Sequence, residues 1–345
     1  MTTSVGSSAL VALLRSWPLS PARGAPEGDE ATAFVRGAVR HGLAGFVAHA
    51  VGQVGWELPA DSSALLRRES LTGAARSLQV KALLLKSLEA LASEGIVPVS
   101  LKGYGLALRL YPDPLQRATR DVDLLVSRGE VETAVRSLTG LGLTARPTRD
   151  GRHADLDSHH LELEGKAGLV ELHFRALAGW GRALEGDALV SRAVEGALEG
   201  QRVRWLCPED EAVYLALHAS HHLLQRLAWL FDLKLLAARG LDWDRVVEGA
   251  RGTGLPQLVF HGWEVARRLL GAPVPEAALE ALAPPWWQRR LARRFFTEER
   301  LVETELVRSR PRWMAAKLLL APEPGAMLRY ALRRLDTAIR PPSDR

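Results

Sequence analysis

Apolar residues recur at three- and four-residue spacing over the first 95 positions and again beyond Pro208, while between them the period shortens to two. "SALVALLRSW", "ATAFVRGAVRHGLAGFVAHAV" and "SLQVKALLLKSLEALASEG" each carry one apolar stripe at helical spacing, which predicts three helices. The Pro/Gly-rich "SWPLSPARGAPEGDE" connects the first two, and Gly95 is placed to end the third as a C-cap. From position 96, "IVPVSL", "DVDLLV", "LTARPT", "SHHLELEG" and "GLVELHF" predict strands, the last two joined by a hairpin turn around "GKAG". "YGLALRLY", stopped by "PDP", and "GEVETAVRSLTGLG" predict helices among them. From Pro208, "PEDEAVYLALHASHHLLQRLAWLFDLKLLAARG" predicts one long amphipathic helix, with acidic residues at the start where the helix dipole favours them. "LDWDRVVEGARG", "LPQLVFHGWEVARRLLG" and a basic tail, "GAMLRYALRRLDTAIR", predict further helices. The expected architecture is α+β: an N-terminal helical region at 1–95, a core with a small mixed sheet at 96–205, and a C-terminal helical domain at 206–345.

The chemistry concentrates in "RATRDVDLLV". Side chains alternate along a strand, so Asp121 and Asp123 share a face with Leu125, their Cα atoms roughly 6.5–7 Å apart, and Val122, Leu124 and Val126 line the other. Both faces turn apolar after Asp123, which puts the two carboxylates at one end of a buried strand. Adjacent like charges there cost stability unless a cation neutralises them. A hard divalent cation such as Mg²⁺ takes carboxylate oxygens and keeps positions open for phosphate, and two carboxylates on one edge match the spacing of a two-metal phosphoryl site. Taken alone, D-x-D also fits a solvated strand start.

Neighbouring residues change that balance. "LKGYG" ends a strand and opens a helix; Gly103 lets the backbone approach a phosphate closely, and Lys102 adds a compact cation, although a simple turn has the same pattern. Arg117 and Arg120 precede the aspartates, with guanidinium groups suited to phosphate or to local acids. In "GLVELHF", Glu171 and His173 share a face, so Glu171 beside the aspartate strand is a third carboxylate able to hold metal or accept a proton. His173 fits a satisfied strand histidine equally well.

Together "LKGYGLALRLYPDPLQRATRDVDLLV" and "VELHFRAL" resemble the uncharacterised nucleotidyltransferase family within the DNA polymerase β-like superfamily. The motif-bearing stretch is 97–176, and the likeness continues more loosely through "PEDEAVYLALHASHH" to "LDWDRVV". The resemblance implies a mixed sheet around a metal-dependent NTP site, with Asp121, Asp123 and Glu171 as Mg²⁺ or Mn²⁺ ligands. It implies Lys102 and Gly103 on the triphosphate, with Arg117 and Arg120 as further phosphate contacts. The wider superfamily carries Gly-Ser or Gly-Gly after its first strand; here the residues are Lys102-Gly103-Tyr104. The implied reaction moves NMP, with ATP the expected donor, to a hydroxyl-type acceptor that the sequence leaves open as small molecule, peptide, protein or RNA. An RNA-modifying enzyme of toxin type and a nucleotide-binding protein without transferase activity are the other two readings.

If the helix from Pro208 is continuous, His218, His222, Gln225, Trp229 and Asp232 fall within about 80° of one another. That stripe suits a nucleotide cleft, with His222 or Trp229 near the base and Asp232 on a polar partner. Inter-domain hydrogen bonding and a zinc site on His218 and His222 are the alternatives. Net charge is +5 with 40 acidic and 45 basic residues interspersed, which allows nucleic-acid binding without indicating it. The single cysteine, Cys207, excludes an intramolecular disulfide framework and fits a reducing, cytoplasmic setting. No apolar run is long enough to span a bilayer, and the N-terminus lacks a basic segment of signal type, so no membrane partner is expected.

Overall fold

The N-terminal apolar stripes become four helices in the computed structural model, which describes residues 5–146, 159–179, 182–304, 309–321 and 325. They are α1 (Val5–Ser16), α2 (Gly28–Arg40), α3 (Ala44–Gln53) and α4 (Ala60–Ser93). The second expected helix is split because Gly42 takes a left-handed φ of 72°. Its N–H bonds Val39 O and that of Leu43 bonds Ala38 O, the paired closure of a Schellman cap. Gly95 ends α4 in the same way, with its N–H on Ala92 O and that of Ile96 on Leu91 O, as its position in the sequence leads one to expect.

Next come β1 (Val99–Ser100), α5 (Gly103–Leu110), β2 (Val122–Leu125), α6 (Val131–Thr139), β3 (Thr144–Ala145), β4 (His160–Gly165) and β5 (Gly168–His173). A small hairpin, β6 (Arg175–Gly179) and β7 (Arg182–Glu185), leads through α7 (Gly186–Arg192) to β8 (Val194–Leu198) and β9 (Gln201–Trp205). Among the described residues the sheet has seven strands in the order β3-β4-β5-β2-β1-β9-β8. β2 pairs parallel with β5 and β1 parallel with β9; its other pairs are antiparallel. The strands β6 to β9 are additions to the sequence reading. The signal of the β8–β9 hairpin is hidden because Glu199, rather than Asn or Asp, precedes Gly200 at a turn where both residues have positive φ, 47° and 85°.

The C-terminal helices are α8 (Pro208–His221), α9 (Leu227–Ala237), α10 (Trp243–Gly252), α11 (Pro256–Leu270), α12 (Glu276–Leu282), α13 (Trp286–Phe295), α14 (Glu298–Val302) and α15 (Arg310–Leu319). The single long helix expected from Pro208 is thus two, because Leu223 and Leu224 both take left-handed φ, 60° and 56°. That conformation costs roughly 1–2 kcal/mol per non-glycine residue, and both leucines are held there by burial. The tail expected as a helix lies outside the described residues except for Gly325. Among the described residues no helix is long and apolar enough to cross a membrane.

Two cores hold these elements. One fills the space between α4, α6 and a sheet face with Leu84, Leu88, Leu138, Val122, Leu124 and Leu172. The other joins α1–α3 to the C-terminal helices, with Phe46 against Phe231 at a ring separation of 4.5 Å. Leu125 belongs to this second core. Strand alternation therefore turns Asp123 toward the C-terminal helices and away from α4.

His41 fastens that second core. Its Nε2–H donates to Val302 O at 2.8 Å, and its Nδ1 accepts the Leu227 N–H at 3.2 Å, so the neutral ring is fully used. Burial lowers its pKa from 6.5 to about 4. Burial does the same to His261. A folded pKa below the unfolded one means stability is complete above pH 6.5 and is lost as pH falls toward 4. The thermal unfolding midpoint is expected to drop steadily from about pH 7 to about pH 4.5, and less steeply in His41→Gln, whose midpoint at neutral pH is already lower. A wild-type midpoint flat across that range would refute this.

Candidate active site

Parallel pairing sets Val122–Leu125 of β2 opposite Val170–His173 of β5, so Asp123 lies beside Glu171. Asp121 stands just before β2. The Asp123 side chain is wholly buried, while Glu171 and Asp121 are partly open to the cavity. Ligand atoms of Asp123, Glu171 and His173 all lie within 4.8 Å of one another. His173 Nε2 is 3.4 Å from Asp123 and 3.5 Å from Glu171.

Across the strand ends lies the turn into α5. Gly103 has a φ of 69°, and a Cβ there would sit 3.4 Å from Asp121 O and 3.9 Å from Asp123 Oδ2. Glycine is required by the backbone conformation, and that conformation brings the start of α5 down on the aspartates. The far end of α5 is tied to α8 by Arg109, which chelates buried Glu211. Lys102, just before the turn, places its Nζ 2.6 Å from Asp123, 3.7 Å from Asp121 and 3.9 Å from Glu171.

The charges shape one another. Burial alone would raise Glu171, but contact with His173 and the Lys102 ammonium outweigh it and hold the carboxyl at about 2, so it stays an anion at neutral pH. Burial would lower Lys102 and His173, and the facing carboxylates raise both instead. Neither oxygen of Asp123 accepts a well-formed hydrogen bond. A buried carboxylate flanked by two more, with the Lys102 ammonium as its close countercharge, offers the oxygen donors that a hard divalent cation takes.

A cavity of about 380 Å³ opens from this cluster toward α8 and α9. The break after α8 folds His222, Gln225 and Trp229 around it together with His218, so four members of the expected stripe meet there by a loop, not by helical periodicity. His218 and Trp229 are 4.9 Å apart between ring centres, and His222 and Trp229 are 5.3 Å apart. Burial drives His218 and His221 well below the usual histidine range, leaving this wall uncharged at neutral pH. Among the described residues no third ligand joins His218 and His222 as a metal group.

Arg117 and Asp232 are brought together, but on each other. The buried guanidinium meets the carboxylate through Nε–Oδ1 at 2.9 Å and Nη2–Oδ2 at 2.8 Å, and Tyr111 donates to Oδ1 at 2.8 Å. Arg120 and Arg226 both reach the cavity, and neither has an ion-pair partner among the described residues. Sequence reasoning missed Arg226, His159, His160 and His221, all of which line the cavity. Arg226 was hidden by the assumption of a continuous helix; the doublet in "SHH" was the available signal for His159 and His160.

The profile of the family described as uncharacterised nucleotidyltransferase matches residues 27–271, more than half of the chain. The chain belongs to this family. It is a nucleotidyltransferase, as its motif residues led us to expect. The matched span takes in the carboxylates, the Lys102-Gly103 turn and the cavity wall from α8 to α9. The solution structure of the antibiotic-resistance factor ANT(2'')-Ia is 17% identical at a TM-score of 0.36, covering 50% of this chain and 90% of its own. The crystal structure of an antigenic nucleotidyltransferase-like protein from Paracoccidioides brasiliensis is 14% identical at 0.35, covering 58% and 96%. Scores this low transfer neither site nor substrate to this nucleotidyltransferase. No curated protein matches it.

Removing the Asp232 carboxylate leaves a buried guanidinium without its partner. Asp232→Ala is expected to lower unfolding free energy by about 3–5 kcal/mol, whereas Glu132→Ala, which breaks the exposed Glu132–Arg136 pair, shifts it by less than about 1 kcal/mol. Urea unfolding of both variants checks this, and equal effects would contradict the bridging role.

Proposed function

We propose that this nucleotidyltransferase moves NMP from an NTP to an acceptor hydroxyl in a divalent-cation-dependent reaction, releasing pyrophosphate. The observation that carries the reading is the in-register pair Asp123–Glu171 with Asp121 at its mouth, set under the Gly103 turn. Asp121, Asp123 and Glu171 would hold Mg²⁺ or Mn²⁺. When bound, the cation would neutralise charge on the triphosphate and the departing pyrophosphate.

The protein's own groups divide the remaining work. The amides at the start of α5 and the Lys102 ammonium face the phosphates. Arg120 and Arg226, at the cavity and without an ion-pair partner among the described residues, suit the outer phosphates; Arg117 supports the site through Asp232. The uncharged wall of His218, His222 and Trp229 suits a nucleobase, which has an aromatic face and no charge. Attack by the acceptor oxygen on the α-phosphorus forms one P–O bond as the bond to the bridging oxygen breaks. The hydroxyl proton leaves to a carboxylate of the cluster, with Glu171 the intended acceptor, or to water. AMP is the group the family resemblance favours, with ATP as donor. The carboxylate set supports transfer over nucleotide binding alone.

NTPs labelled at the α-phosphate, incubated with Mg²⁺, the protein and candidate acceptor pools, are expected to leave label on one acceptor species, with ATP the best donor. Asp123→Asn should reduce that labelling by at least about a hundredfold while the far-UV spectrum and unfolding midpoint stay near wild type. Undiminished labelling by Asp123→Asn would remove the carboxylate cluster from the reaction.

A further inference from the structure

Lys102 is more than a phosphate contact in waiting. Its ammonium sits in the notch between the three carboxylates, 2.6, 3.7 and 3.9 Å from Asp123, Asp121 and Glu171. Asp123 is wholly buried there, and the Lys102 side chain is 13% exposed. A divalent cation on these oxygens and an ammonium 2.6 Å from one of them would repel strongly at short range. Set among all three carboxylates, the ammonium competes with a divalent cation for the same negative charge.

We propose that Lys102 is a built-in, displaceable cation. It neutralises the carboxylates while metal is absent, and it turns out toward the triphosphate when metal arrives. This rests on the reading of Asp121, Asp123 and Glu171 as metal ligands. Lysine is the residue type suited to such a move. Its ammonium, on a four-carbon stem, is a compact point charge that swings by rotation of its own side chain, unlike the planar guanidinium fork. The backbone at Lys102 is extended and the turn is made at Gly103, so the stem can move without disturbing α5. Two consequences follow from charge alone. Metal binds the nucleotide-free protein weakly, because it must displace Lys102. The triphosphate, by offering Lys102 a new partner, raises metal affinity, and linkage makes the metal raise nucleotide affinity equally.

The test uses the full chain and Mn²⁺ alone, with free Mn²⁺ measured by electron paramagnetic resonance. Lys102→Met and Lys102→Gln are expected to bind Mn²⁺ at least about tenfold more tightly than wild type without nucleotide. A non-hydrolysable NTP analogue should tighten Mn²⁺ binding by the wild type and much less by either variant. Wild-type protein supplies a readout that does not depend on the variants folding. Acetylation of Lys102, followed by mass spectrometry, should be slow without metal, faster with Mn²⁺ and slow again with Mn²⁺ and the analogue. If the variants bind Mn²⁺ no more tightly than wild type and Lys102 acetylation ignores Mn²⁺, the displacement is wrong while the metal site stands. If neither wild type nor variants bind Mn²⁺ with or without analogue, the metal reading fails and the displacement with it.

Discussion

The structure turns on negative charge gathered where two parallel strands run side by side. Register alone brings Asp123 beside Glu171, and Asp121 precedes Asp123 by one pleat. Such a cluster is unfavourable in a protein interior without a countercharge of matching strength. Much of what surrounds it answers that need. Lys102 reaches in from the end of the first strand, His173 lies against two of the carboxylates, and the Gly103 backbone closes from above. An apolar site of the same shape would need none of these groups.

The helical parts of the chain make the site a cavity instead of a sheet edge. Arg117 and Asp232 join the segment before β2 to α9 by a buried pair that also takes Tyr111. His41 joins the α2–α3 corner to Leu227 and Val302. These ties hold opposite walls in place, one carrying the carboxylates and Lys102, the other the His218, His222 and Trp229 rings with the Arg226 guanidinium over Trp229. The arrangement depends on residues more than a hundred positions apart in the chain.

The site was legible in the sequence where local rules determine position. Alternation on a strand puts Asp121 and Asp123 on one face without knowledge of the fold, and Gly103 announces a turn because its neighbours are a strand and a helix. The partner of Arg117 was not legible: whether a guanidinium meets phosphate or carboxylate depends on which distant acid the tertiary fold delivers. The stripe on the expected long helix illustrates the reverse case. Its residues do surround the cavity, but through a loop made by two buried leucines in left-handed conformation, which no periodicity signals. The β8–β9 hairpin escaped for a similar reason, since its turn uses Glu199 where Asn or Asp would have marked it.

The proposed chemistry depends on the three carboxylates being a cation site for nucleotide chemistry. Anomalous scattering from crystals grown with Mn²⁺ and a non-hydrolysable NTP analogue addresses that directly. The expected result is a manganese peak within bonding distance of Asp121 and Asp123 oxygens, beside Glu171, with the Lys102 ammonium moved onto the triphosphate. A nucleotide bound elsewhere, with Lys102 still against Asp123 and no manganese between the carboxylates, would contradict it.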